Sequence, residues 1–180
     1  MIQRVRIAAA AAGLALLAAA CSGEPPVVVA CPRPGILPDA NTIAVFRDGG
    51  GRDITDMLVQ SQIVDVRVDC TYGKRGTRPS VSLELQIAIA AERGPADRTR
   101  RAVVPYFVAI VDAERNVIAK ETFTAAFEWT DNRPRVGRVD TWEPYIPLAR
   151  NMDGPTFQVL VGFQLTPDQL AWNRSQRPAR

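Results

Sequence analysis

Carboxylates are the only acid–base groups this chain offers in number, because its 180 residues contain no histidine. Without an imidazole, the commonest general base and the commonest transition-metal ligand are missing, and neither a Ser-His-Asp nor a Cys-His system can be assembled. Two carboxyl groups facing each other across a cleft could still hydrolyse a glycosidic bond. Glu84, Glu121, Glu128 and Glu143 are the candidates beside predicted strands. Each occupies a position expected to face solvent or a sheet edge, and no motif selects a pair. The densest polar cluster is Asp48-Gly49-Gly50-Gly51-Arg52-Asp53, with Asp56 after it. Converging glycine amides could hold a phosphate, and Asp48, Asp53 and Asp56 could hold calcium. The Gly-Lys-Ser/Thr of a phosphate loop and the EF-hand spacing are both missing, so a glycine-rich turn ending in a helix cap is the preferred reading. The expectation is a non-enzymatic protein with no catalytic residue, no metal and no cofactor.

Two further groups of residues could contact a partner. Basic clusters occur at Lys74-Arg75 with Arg78, at Arg93 with Arg98, Arg100 and Arg101, and at Arg133 with Arg135 and Arg138. All fall in predicted loops. Two of them meeting at one end of the domain could touch anionic headgroups or an acidic glycan. Glu92, Asp97, Asp131 and Asp140 intersperse with them and dilute any patch. Among the aromatics, Trp129, Phe157 and Phe163 fit a core face. Trp142 and Tyr145 belong to a segment interrupted by Pro144 and Pro147 and are the candidate partner contacts.

The scaffold for these groups is β, since the dominant period from residue 27 onward is two. Val64, Val66, Val68, Cys70 and Tyr72 fall on one face, with Asp65, Arg67, Asp69 and Thr71 on the other. Val81, Leu83, Leu85, Ile87 and Ile89 repeat the pattern, and the breakers at 73–79 predict a hairpin between the two segments. Further strands are predicted over 103–111, 117–129, 138–148 and 157–163, with a short one at 43–46. The 138–148 strand should be irregular or at an edge, because its prolines cannot donate to a ladder. Thr166, Pro167 and Gln169 predict a capped helix over 165–173, and Asp53 could start a second helix over 53–60. Together these predict an all-β fold, an antiparallel β-sandwich of immunoglobulin-like or fibronectin-like type. It would have about seven strands and a short C-terminal helix.

The N-terminus has a different character. Arg4 and Arg6 precede an apolar run over 7–17, and Ala18-Ala19-Ala20 leads into Cys21. A basic start, an apolar stretch of roughly 7–15 residues and a small-residue site make a secretory signal. The stretch is shorter than the ~20 residues a spanning helix needs. The run Leu16-Leu17-Ala18-Ala19-Ala20-Cys21 resembles the lipobox of bacterial lipoprotein precursors, with Ala18 where that family has a leucine-like residue. The mature part is similar to envelope lipoproteins of Gram-negative bacteria. The resemblance implies cleavage before Cys21 and lipidation of that cysteine. It also implies anchoring to a membrane, with Ser22 favouring the outer membrane on its periplasmic face. An envelope protein or peptidoglycan is the implied partner.

Cleavage there would remove two of the 22 basic side chains and none of the 19 acids. A body so close to neutral gives no argument for nucleic acid. It would also leave Cys31 and Cys70 as a pair in a compartment where disulfides persist. Bridging them would close a loop of ~40 residues, worth about 3–4 kcal/mol. Two free thiols or a redox pair are the alternatives, and the spacing is not Cys-x-x-Cys. The expected organisation is a signal at 1–20, a lipidated tether at 21–26, a sandwich at 27–173 and a disordered tail at 174–180. The expected function is binding or assembly. A carboxylate-based glycan hydrolase and a spacer without a ligand are the alternatives.

Overall fold

The computed structural model describes residues 30–75, 78–148 and 156–176. The expected signal, Cys21 and the tether at 21–26 lie outside the described residues, as do the last four residues of the expected tail. The described chain forms nine strands and one α-helix. They are β1 (Arg33–Ile36), β2 (Thr42–Phe46), β3 (Met57–Arg75), β4 (Arg78–Arg93), β5 (Arg101–Val111), β6 (Val117–Glu128), β7 (Arg135–Trp142), β8 (Tyr145–Pro147), β9 (Gln158–Phe163) and α1 (Pro167–Ser175). One sheet has the order β1-β9-β5-β6, and the other β2-β3-β4-β7, with β8 also on β4. The two share one core, in which Val104, Val108, Val159 and Val161 of the first sheet join Leu85, Ile87 and Ile89 of the second. This is the all-β sandwich that the period-two patterning predicts. Three consecutive strands, β2, β3 and β4, lie side by side, an adjacency that the immunoglobulin constant order ABED/CFG does not contain.

The β3–β4 hairpin is the spine. Its ladder runs from Val59↔Arg93 to Arg75↔Arg78, and Val81, Leu83, Leu85, Ile87 and Ile89 are all buried. One detail departs from the sequence pattern. The register shifts between Ile63 and Asp65, so Val64 is an extra, unpaired residue and is 47% exposed. Ile63 takes the core position instead. The bulge resets the inward phase, from Val59, Ser61 and Ile63 to Val66, Val68 and Cys70, which lets one strand serve two stretches of core. Strict alternation read backward from Val66 cannot reveal it.

Three other elements differ from expectation. The helix proposed over 53–60 shrinks to a 3-10 turn, Ile54–Asp56, capped by the Asp53 side chain. From Met57 the chain joins β3, because Val59 pairs with Val45 on one side and Arg93 on the other. The strand expected over 138–148 divides at Glu143-Pro144 into β7 and β8, both on β4. And β1, which the sequence did not signal, lies parallel to β9 while every other ladder is antiparallel. It is four residues long and contains Pro34, tolerable because β1 ends its sheet.

Cys31 and Cys70 form the expected disulfide, with their Cα atoms 5.6 Å apart. It ties the segment entering β1 to β3 in the opposite sheet. Beside it the Tyr72 hydroxyl donates to the Ala30 carbonyl at 2.8 Å.

The helix α1 begins as predicted. Thr166 and Gln169 form a capping box, and Pro167 occupies the first turn. It runs on through Ser175, so Arg174 and Ser175 are helical and not part of a disordered tail. None of its residues is buried. It is held by polar contacts to the outer edge of β2. The Asn173 amide donates to the carbonyls of Thr42 at 2.7 Å and Asp39 at 3.0 Å, and Gln169 donates to Ala44 at 3.4 Å. The Trp172 ring meets Phe46 edge-on at 5.6 Å. An exposed row of strand acceptors invites pairing with another chain, and α1 blocks that row at β2.

Candidate functional site

The four glutamates proposed as hydrolytic candidates are all exposed. Glu128 pairs with Arg101 at 3.0 Å across β5 and β6. Glu84 and Glu143 line a shallow cavity of about 350 Å³ with Asp69 and Tyr145 on the outer face of β4.

The buried acids are Asp56 and Asp97, and both organise loops. One Asp56 oxygen accepts the Gly51 amide at 2.8 Å, and the other pairs with the Arg47 guanidinium. The glycine-rich turn therefore commits an amide to the chain's own carboxylate. Asp48, Asp53 and Asp56 do not converge, and among the described residues no group of three acids or cysteines could hold a metal ion. At Asp97, burial pushes the carboxyl up. Donors on Thr99 and the Arg100 amide, with the Arg93 charge, outweigh that and hold it below its ordinary value.

Two of the three arginine clusters do meet at one end of the sandwich. Arg100 adopts φ 58°, donates from Nε to the Trp129 carbonyl at 2.8 Å, and also reaches the Asp131 carbonyl. The Trp129 indole donates to the Pro134 carbonyl at 2.8 Å, and Arg133 pairs with Asp131 at 2.6 Å. These arginines brace loops against local acids and carbonyls, as the interspersed Asp97 and Asp131 foreshadow. The third cluster belongs to the β3–β4 tip, at the opposite end of β4 from Arg93.

The structure separates Trp142 from Tyr145. Trp142 pairs with Leu85 and packs against the core, whereas Tyr145 pairs with Ser82 and is 38% exposed on the outer face. The odd spacing between them turns one ring inward and the other outward.

Trp142 closes an aromatic stack on one lateral side. Phe123 lies between Tyr106 at 5.4 Å and Trp142 at 5.7 Å. The Tyr106 hydroxyl donates to Asp140 at 2.9 Å, and Arg138 pairs with the other Asp140 oxygen. Arg138 also donates to the Ala126 carbonyl at 3.0 Å, so it bridges the two sheets. Burial, reinforced by the Asp140 carboxylate, pushes the Tyr106 phenol well above its ordinary range. The sequence gives no hint of this cluster, because Tyr106 reads simply as the apolar residue between Val104 and Val108.

An open cavity of about 540 Å³ lies over this cluster, lined by Tyr106, Phe123, Thr124, Val139 and Asp140. It runs between β6 and β7, and each of these strands ends its sheet. Val139 is 62% exposed here, and Val117 and Ile118 are 61% and 50% exposed farther along β6. A larger cavity of about 660 Å³ lies at the other edge, beneath α1.

No family model, curated protein or solved structure is detectably similar to this chain. Among the described residues, no helix is long and apolar enough to cross a membrane.

Proposed function

We propose that this chain is a lipid-anchored envelope protein that binds rather than catalyses, taking an envelope protein partner along its β6–β7 side. The observation that carries this is the asymmetry of the lateral edges. At β2 the outward carbonyls of Thr42 and Ala44 are occupied by side chains of α1. At β6 and β7 no helix covers the edge among the described residues, and Val117, Ile118 and Val139 stand exposed beside it. A partner strand added to β6 would gain main-chain hydrogen bonds and cover one of Val117 and Ile118, and one added to β7 would cover Val139. The carboxylate-hydrolase alternative has no comparable support, since its four glutamates are solvated.

The anchor is the lipidated Cys21 that the lipobox implies. Eight residues lie between Cys21 and Ala30, nine steps with a reach of about 30 Å at most. The disulfide end of the sandwich would therefore face the membrane, and the Arg100–Trp129 end would point away.

Membrane fractionation and partner recovery test the two halves separately. Cys21→Ser should move the protein from the membrane to the soluble fraction. Val139→Lys and Ile118→Lys should abolish co-purification of the partner without moving the melting midpoint. Unchanged co-purification would exclude the β6–β7 side.

A further inference from the structure

We infer that the cavity beneath α1 is a binding site for a short, uncharged glycan containing N-acetylhexosamine. The cavity measures about 660 Å³, within the range of roughly 300–1,000 Å³ typical of small-ligand sites. Its lining is rich in carboxamides, contributed by Asn41, Gln60, Asn173 and Gln176, with Trp172 and Ile54 beside them. A carboxamide presents two donors and an acceptor in one plane. Asn173 has committed its donors to Asp39 and Thr42 and offers its oxygen, while Gln60 offers both kinds of group, a set that matches vicinal hydroxyls and acetamido groups. An indole gives the apolar face of a pyranose ring a flat surface to lie on.

The site is partly preorganised. Trp172 is fixed edge-on against Phe46, and Asn173 is tied to Asp39 and Thr42. Holding these groups before binding lowers the ordering cost of association. Gln60 is exposed on β3, and no side-chain hydrogen bond engages its amide among the described residues.

Charge and edge geometry select the ligand class. The only charged lining residue is Arg52. Its guanidinium already donates to the Asp168 carbonyl at 2.8 Å and pairs with the Asp168 carboxylate at 3.3 Å. That leaves little unpaired positive charge for an anion. An extended peptide would need the β2 edge, whose carbonyls at Thr42 and Ala44 are taken. A neutral polyhydroxyl ligand needs neither. The cavity lies at the edge opposite β6–β7, so this site stands or falls independently of the protein-partner surface.

The test is titration of the full chain with tri-N-acetylchitotriose, followed by NMR of the Trp172 indole and the side-chain amides. The expected result is shifts confined to Trp172, Asn41 and Gln60. Gln60→Ala should weaken binding at least about tenfold with an unchanged melting midpoint, as loss of a buried ligand hydrogen bond does. Val139→Lys, at the opposite edge, should leave the affinity unaltered. Absence of shifts up to about 10 mM ligand, beyond the millimolar range of weak specific sites, would overturn the inference. So would an affinity indifferent to Gln60→Ala, or tighter binding of an acidic trisaccharide.

Discussion

Single side chains in this protein do structural work that their types do not advertise. Ser61 is fully buried in β3, and its hydroxyl has no hydrogen-bond partner. A buried, unsatisfied hydroxyl costs stability, so Ser61→Ala should raise the unfolding free energy by about 1 kcal/mol in urea titration. Tyr106 makes the opposite case. Its hydroxyl is satisfied by Asp140, and Tyr106→Phe should cost about 2 kcal/mol, the scale of a hydrogen bond to a charged group. Tyr106 also ties stability to pH. Its native phenol titrates above the ordinary value of 10.0, so the native state favours the protonated form. That contribution is complete below pH 10 and is lost as pH rises through the higher native value. Alkaline unfolding curves should show this loss in the native chain and not in Tyr106→Phe.

Elements were legible where one physical rule governed them. The β3–β4 hairpin follows from alternating aliphatics around a turn, and α1 from its capping box, because both signals are local. The β3 bulge, the division of β7 from β8 and the parallel β1 depend on which neighbour each strand meets, and no short sequence window records that. The site was legible to a similar degree. The prolines of its segment mark Trp142 in the sequence as a candidate partner contact, but the inward packing of its ring on Phe123, which stacks on Tyr106, depends on the two sheets being superposed. The amide-lined cavity requires α1 to return to β2, more than 120 residues earlier in the chain. That return has a measurable consequence. Asn173→Ala deletes two hydrogen bonds and should cost about 1–2 kcal/mol. It should also promote concentration-dependent self-association through the uncovered β2 edge, readable by sedimentation velocity. A monomer of unchanged stability would mean that α1 does not guard this edge.

Among the described residues the molecule is a sandwich stapled at one end, braced by arginine at the other, covered by α1 along one lateral edge and bridged only by side chains such as Arg138 along the opposite one. The staple closes a loop with sequence separation 39, so reducing Cys31–Cys70 should lower stability by about 4 kcal/mol. Denaturant titration with and without reductant measures it, and an unchanged midpoint would show that the sheets hold without the bridge. If Cys21 carries the proposed lipid, the same staple sets the position relative to the membrane. The disulfide anchors the N-terminal end of the domain, and β3 runs from there for about 40 Å between Cys70 and Met57, at ~3.3 Å per residue. The arginine-braced end would then stand well clear of the lipid, with the β6–β7 side facing laterally into the envelope. The most direct measurement is site-specific photocrosslinking in cells, with the probe at Val139 on the open side and, separately, at Arg174 on α1. One recurrent protein adduct is expected from Val139 and none from Arg174. Equal adducts from both positions, or none from Val139, would contradict it.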